Sequence, residues 1–405
     1  MYLRKIHLQN IRDFENFTLD FTDEDGSARP WTIVIGANGT GKTTLLRTIA
    51  IGLTAGSDAN AMLASPIGTL VTERKKSGDV ELTVGDRRGR AKNRTLQTTI
   101  KASRQRESIR RVDWDHGIAS REPFVLGYGV SRVRSGESKH RGYRILDSTQ
   151  TLFDYGAELA PLELTLRRLQ DHLGEEIYDH AMYGIKKALD LPDSMTITIG
   201  SGGGVVIRGG SIRGEMPLEG WADGYRLNLA WIIDVYGWAL RARALTKDGG
   251  IQGILLLDEL EQHTHPSIQM GFIPRLKGLW PKLQVVATTH SPLVLLGAEA
   301  DEVVVLKRRG QRIVTAPGAA SFAGYSAEDV LVDERLFDTS ARRPELSKVL
   351  SSYERLASIP LSKRSESQRR RLRKIAKDIS SRVHSDESES PLLQELRSLR
   401  TKFDL

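Results

Sequence analysis

Three short stretches carry residue types that handle phosphate. Gly36-Ala37-Asn38-Gly39-Thr40-Gly41-Lys42-Thr43 is a complete G-x-x-x-x-G-K-[ST] loop. Gly36, Gly39 and Gly41 can take positive φ and leave room for phosphate oxygens. Their backbone N–H groups then point inward, and the following helix adds the partial positive charge of its N-terminus. Lys42 is expected to reach the β- and γ-phosphates of a nucleoside triphosphate, and Thr43 to place its hydroxyl on Mg²⁺. Asn38 and Thr44 complete the expected phosphate-binding set. The second stretch, Ile254 to Glu259, is apolar and ends in two carboxylates. Asp258 is expected to hold the Mg²⁺ through water, and Glu259 to polarise the attacking water as a general base. A buried strand does not end in paired acids without a cation or a polar task nearby. The third stretch, Gln284 to Pro292, places His290 where it can meet the γ-phosphate from the side.

The flanks of these motifs show which elements position them. Trp31-Thr32-Ile33-Val34-Ile35 is β-branched and apolar, as a buried strand should be. Thr44 to Ala50 reads as a helix, so the glycine loop sits in the strand–loop–helix setting it requires. Residues 1–22 read as two strands joined by a turn at Asn10–Asp13. Residues 57–92 read as short strands and charged turns, and Thr95–Ile100 as a strand followed by a basic loop reaching residue 122. Phe124–Gly129 is a buried strand. Residues 161–190 are amphipathic and helical, Thr196–Ile199 and Gly204–Arg208 form a hairpin, and about 224–245 is a long apolar helix. After the Asp258 strand come a helix at about 266–279, a strand at 284–288 and a strand pair near 302–315. The chain is helical and increasingly basic from about 325, with a Ser/Asp/Glu linker at Ser380–Ser390.

Composition narrows the class. In 405 residues the hydrophobic fraction is 39%, enough for a large core. The longest apolar runs are far shorter than the ~18 residues of a membrane span. The opening residues read as an alternating strand rather than a leader. There are no cysteines, which excludes disulfides and cysteine-bound zinc and fits a cytoplasmic protein. The net charge is +8, and its distribution says more than its size. Residues 71–112 hold 13 basic and 5 acidic side chains, and residues 341–405 hold 16 and 9, which leaves the rest of the chain at −7. Basic segments on an acidic body suit contact with a polyanion such as DNA. They suit equally a pair of solvated basic faces.

The order phosphate loop, acidic strand, histidine-ended strand resembles the ABC-type ATPases of the RecF/SMC/OLD group. Ile6 to Asn16 is similar to that group's opening strand and turn, which makes Arg12 the match of an arginine near the nucleotide. Asp258 to Pro266, with its His263-Thr264-His265-Pro266 turn, and Thr289 to Leu293 resemble the corresponding acidic and switch-histidine segments. Tyr128-Gly129-Val130-Ser131-Arg132 and Leu152-Phe153-Asp154 look like the smaller PtuA-like ATPases of Septu and retron anti-phage systems. The implied fold is α/β, a P-loop NTPase of ABC type. It has a mixed central sheet flanked by helices, a helical lobe and a basic helical C-terminal tail. The implied domains are 1–325, with the helical lobe and signature region at about 150–245 inserted, and a 326–405 extension. ATP and Mg²⁺ are the implied cofactors.

One departure stands out. The group's signature loop usually reads Leu-Ser-x-Gly, and here it is Trp221-Ala222-Asp223-Gly224. In relatives that serine touches the γ-phosphate held by the other subunit, which implies a head-to-tail dimer or larger even oligomer. Ala222 lacks the hydroxyl, while Asp223, Gly224 and the helix N-terminus remain. Losing one hydrogen bond to a charged group costs about 1.5–3 kcal/mol, roughly 10- to 100-fold in rate, so slow hydrolysis is expected. Neither Gln150 nor Gln170 has a clear Q-loop context. The PtuA-like reading implies a separate HNH nuclease as partner; the chain shows no HNH pattern of its own, and no E…DxD pattern follows His290, so a fused nuclease is not expected. A RecF-like role in DNA maintenance, with duplex held by residues 71–112 and 363–377, is the alternative. A nucleotide-sensing scaffold with little turnover is another. A transporter subunit is disfavoured by the His-x-His-Pro turn and the basic tail.

Overall fold

The computed structural model describes residues 1–405 except 55, 66, 91, 104–105, 115–122, 133–135, 137–141, 320, 338, 340–343, 361–362 and 383–405. The chain opens with the hairpin β1 (Tyr2–Ile11) and β2 (Phe14–Asp20), then β3 (Trp31–Ile35), α1 (Lys42–Leu53) and α2 (Gly56–Leu63). Four strands follow: β4 (Ser77–Gly85), β5 (Arg94–Ala102), β6 (Glu107–Trp114) and β7 (Val125–Tyr128). Next come the helices α3 (Ile145–Ser148), α4 (Leu162–His172) and α5 (Glu175–Ala188), and the strands β8 (Thr196–Ile199), β9 (Val205–Gly209) and β10 (Ile212–Pro217). The long helix α6 (Asp223–Ala242) leads to β11 (Gly253–Leu257), α7 (Pro266–Leu279), β12 (Leu283–Thr288) and α8 (Pro292–Leu295). The last elements are β13 (Val303–Arg309), β14 (Arg312–Ala316), α9 (Ala327–Val332), α10 (Pro344–Ala357) and α11 (Glu366–Arg382).

The central sheet has six strands in the order β14-β13-β3-β12-β11-β7. All its pairs are parallel except the antiparallel edge pair β13–β14. The expected mixed sheet is therefore present. Because side chains alternate across a strand, Leu255 and Leu257 enter one core while Ile254 and Leu256 enter the other. The first core is closed by α4 to α7, through residues such as Leu166, Ile185, Trp231 and Phe272. The second is closed by α1 and by a five-stranded antiparallel sheet, β2-β1-β4-β5-β6. A strand buried on both faces is largely apolar, which is why β3, β11 and β12 read clearly even with Thr32, Gln284 and Thr288 buried among them. Register then aligns the strand ends: Tyr128 lies beside Leu257, Leu257 beside Ala287, and Thr288 beside Val34.

Several local readings change in the structure. Helix α2 occupies part of the stretch read as strands and turns. Its buried Ala59 and Met62 are spaced one turn apart, and Asp58 lies in its first turn. The basic loop contains β6, an outer strand of its sheet that pairs with β5 among the described residues. Edge strands carry charge readily, which hides their alternation. The rest of that loop, residues 115–122, lies outside the described residues. The hairpin gains a third strand, β10. The long helical run divides at Leu173 and Gly174 into α4 and α5. Residues 1–337 form one compact unit and 338–405 a second. The first unit runs past residue 325 because Val330 and Leu336 are buried in its core. In the second, α10 and α11 pack through Tyr353, Ala357 and Leu372. The acidic linker lies outside the described residues from 383 onward, and Ser380 to Arg382 close α11. Among the described residues no helix is long and apolar enough to cross a membrane.

Leu256 is fully buried in β11. Its replacement by alanine is expected to cost about 2–5 kcal/mol in a urea unfolding curve. Leu164→Ala, at a side chain 36% exposed, is expected to change the same curve by no more than about 0.5 kcal/mol.

Candidate nucleotide-binding site

The parallel strands deliver their C-terminal turns to one edge of the sheet, where ligands of open α/β sheets bind. After β3 comes the glycine loop. Gly41 takes φ 83 and caps α1, and a Cβ there would lie 2.7 Å from the Phe14 ring. Gly39 takes φ 78, and a Cβ there would meet nothing within 4 Å, so the loop is open on that side. The first turn of α1 carries no acidic residue, leaving its N–H groups available to an anion. Lys42 Nζ folds back and donates to the carbonyls of Gly36 at 2.8 Å and Ala37 at 3.2 Å. Burial lowers its pKa, against the raising pull of Asp258, Glu259 and Glu261.

Asp258 follows β11 and is 4% exposed. Its Oδ2 accepts from Thr43 Oγ1 at 2.7 Å, and its Oδ1 accepts from Thr288 Oγ1 at 2.6 Å. The next residue, Glu259, has φ 48, and its N–H donates to the same Thr288 hydroxyl at 2.8 Å. Burial, then Asp258 and Glu261, raise the Glu259 pKa, opposed by Arg132 and Lys42. His290 leaves the end of β12. Burial and then Lys42 lower its pKa, which favours the neutral imidazole.

Ten of the residues expected from the sequence line a single cleft of about 350 Å³. They are Arg12, Asn38, Gly39, Gly41, Lys42, Thr43, Thr44, Asp258, Glu259 and His290. Gly36 contributes its carbonyl to Lys42. Arg12 enters from the turn after β1, donating through Nη1 to Thr44 Oγ1 at 2.9 Å and through Nε to Thr69 O at 3.0 Å. A hydroxyl and a carboxylate facing each other, Thr43 and Asp258, are the hard oxygen donors that Mg²⁺ prefers. Among the described residues no cluster of three or more His, Cys, Asp or Glu side chains forms a metal site of its own. Mg²⁺ in nucleotide sites is typically held by one or two protein oxygens plus phosphate and water, so the residues fit such an ion.

The signature residues do not line this cleft. Ala222 is the N-cap of α6 and offers no capping side chain. Asp223 Oδ1 accepts from Arg226 at 2.7 Å. Gly224 packs against the turn after Glu259, where a Cβ would lie 2.6 Å from the His263 carbonyl. Asn228 Nδ2 ties the two segments by donating to Gly224 O at 2.7 Å and Thr264 Oγ1 at 3.2 Å. Neither Gln150 nor Gln170 lines the cleft. Gln150 opens a short 3-10 turn, and Gln170 is exposed on α4.

Two contributors lacked an assigned role in the sequence. Glu261 accepts from His290 N–H through Oε1 and from Thr289 Oγ1 through Oε2, both at 2.7 Å. An acid two residues beyond Glu259 was the available signal. Thr288 gave none, because a threonine ending a strand is common. Replacing Thr288 with valine removes the acceptor for Glu259 N–H and the donor to Asp258. This is expected to cost about 1–3 kcal/mol in denaturant unfolding, with Thr288→Ser restoring most of it.

The fold and the loop together define the class: an α/β chain with a P-loop nucleotide-binding site. It is similar in sequence to proteins of anti-phage systems. Residues 5–122 match the model of an AAA-domain family. The Septu protein PtuA of Bacillus mycoides (strain KBAB4) is 26% identical over 372 residues, 89% of this chain and 48% of that protein. The Retron Ec83 probable ATPase of Escherichia coli is 37% identical over 106 residues, 26% of this chain and 18% of that protein. The chain thus spans about half or less of the curated relatives' length. Among solved structures, the SMC head domain from Thermotoga maritima aligns with TM-score 0.47 at 13% identity, covering 79% of this chain and 100% of that one.

Proposed function

We propose that the chain hydrolyses ATP slowly and acts as a nucleotide-dependent dimer switch over a separate effector in anti-phage defence. The observation that carries this reading is the single cleft shared by Lys42, Thr43, Asp258, Glu259 and His290. Thr43 and Asp258 would hold Mg²⁺, which would supply charge neutralisation for the phosphates. Lys42 leaves its loop carbonyls for the phosphates. Glu259 orients and deprotonates the attacking water, helped by its raised pKa. His290 faces the γ-phosphate as a neutral hydrogen-bonding group, and Arg12 closes the cleft from β1.

The dimer is part of this reading because the resemblance to head-to-tail ATPases implies it. Ala222, Asp223 and Gly224 do not line it in the same chain, so a second copy, head to tail, brings that loop to the phosphate. The defence role rests on relatives named as a Septu protein and as retron ATPases. The effector of this reading is a separate nuclease of HNH type. A second reading, contact with duplex DNA, is favoured by the basic segment 71–112, which supplies β4, β5 and β6. In the second unit, taken by itself, α11 exposes Arg369, Arg370, Arg371, Arg373 and Lys374, a basic face of its own. Binding of that kind weakens steeply with salt.

ATP turnover by the full chain tests the proposal. Glu259→Gln is expected to lower kcat by about 10²–10⁴-fold while ATP still binds, and chelating Mg²⁺ to abolish turnover. Wild-type turnover by Glu259→Gln would sink the general-base assignment. Ala222→Ser is expected to raise kcat by up to roughly 10- to 100-fold. The same change supplies an N-cap to α6 worth about 0.5–2 kcal/mol, readable in the unfolding curve. An unchanged kcat with the gain in stability would separate capping from catalysis.

A further inference from the structure

We infer that Arg132 is a positioning residue that aims Glu259, an inference that rests on the general-base reading above. Arg132 follows β7 and is 1% exposed. Its Nη1 donates to the carbonyl of Asp258 at 2.6 Å and to that of Gly129 at 3.2 Å. Its Nη2 donates to the carbonyl of Glu259 at 2.7 Å. The fork therefore grips two consecutive peptide carbonyls of the acidic turn and ties them to the end of the neighbouring strand. Its guanidinium also lies over the Trp231 ring, 5.8 Å from the centroid.

The grip matters because of the backbone at Glu259. With φ 48, this residue sits in the left-handed region, which non-glycine residues enter at a cost of roughly 1–2 kcal/mol. That conformation persists only where the surroundings over-determine it. Thr288 holds the Glu259 N–H on one side, and Arg132 and the Gln262 N–H hold its carbonyl on the other. The direction of the Glu259 side chain follows from this doubly pinned peptide. Burial pulls the Arg132 pKa down to about 10, against the raising pull of Asp258, Glu261 and Glu259, so the group is cationic at neutral pH. A buried cation spent on neutral carbonyls is a poor device for stability alone. It is a good device for geometry, because a planar fork fixes two acceptors at once and an ammonium cannot.

Arg132→Lys separates these roles, since it keeps the charge and loses the fork. In the full chain it is expected to lower kcat for ATP by about 10- to 100-fold, the size of effect that a misplaced group about 1 Å off produces. KM and the binding of a fluorescent ATP analogue should stay near wild type. In the Glu259→Gln background the same change should cost nothing further, because a residue acting through Glu259 has nothing left to aim. An Arg132→Lys variant with wild-type kcat would overturn the inference. So would an undiminished loss in the Glu259→Gln background. So would loss of analogue binding or of the native melting transition, which would assign Arg132 to the fold. A wild-type chain without turnover, or Glu259→Gln with full turnover, would take down the general-base reading itself, and this inference with it.

Discussion

The carboxylate of Asp258 sits where three parts of the molecule meet, and the site depends on how it is held. It closes β11, accepts from Thr43 in the first turn of α1 and accepts from Thr288 at the end of β12. A carboxylate this buried would be unstable without partners. Here each oxygen has a hydroxyl, and the positive charges of Lys42 and Arg132 lie close enough to interact with it. The same hydroxyl of Thr288 receives the Glu259 N–H. One buried charge thus fixes the phosphate-loop helix, the acidic turn and the neighbouring strand relative to one another.

Two residues in the left-handed region lie at this point. Arg12 has φ 46 and Glu259 φ 48, and both line the cleft. Both are heavily tied. Arg12 donates its N–H to Leu70 O at 2.7 Å and accepts from Thr72 Oγ1 at 2.6 Å, while Glu259 is held by Thr288 and Arg132. Left-handed conformations in residues with a Cβ mark places where geometry outweighs local preference. At Arg12 and Glu259 they coincide with side chains that line the cleft, while Arg74, Asp190 and Arg243 adopt them away from it.

The signature loop is linked to the same machinery through α6. Asn228 joins Gly224 to the turn after Glu259, and Trp231 donates from Nε1 to Asn228 Oδ1 at 2.9 Å while lying under Arg132. The two segments are bridged by Asn228 Nδ2, which donates to Thr264 Oγ1 at 3.2 Å and to His263 O at 3.3 Å. The absence of a capping side chain at Ala222 weakens the first turn of this helix, at the point where the loop would face a partner.

The sequence by itself determined the elements whose physics is local. A two-sided buried strand is largely apolar, so β3, β11 and β12 were legible. Helix α7 was legible at about 266–279, and it runs over Pro266–Leu279. The glycine loop announced its chemistry because only certain residue types can wrap a phosphate. Strand β6 and helix α2 were not legible, since an outer strand tolerates charge and a short helix carries too few apolar positions to show a period. The roles of Arg132, Glu261 and Thr288 were decided only by the tertiary structure. Arg132 and Glu259 lie far apart in sequence, and nothing in either neighbourhood requires the other. Parallel register brings the ends of β7, β11, β12 and β3 side by side. That alignment turns separate motifs into one site, because hydrogen bonds between strand ends depend on ångström-scale placement that residue spacing along the chain does not encode.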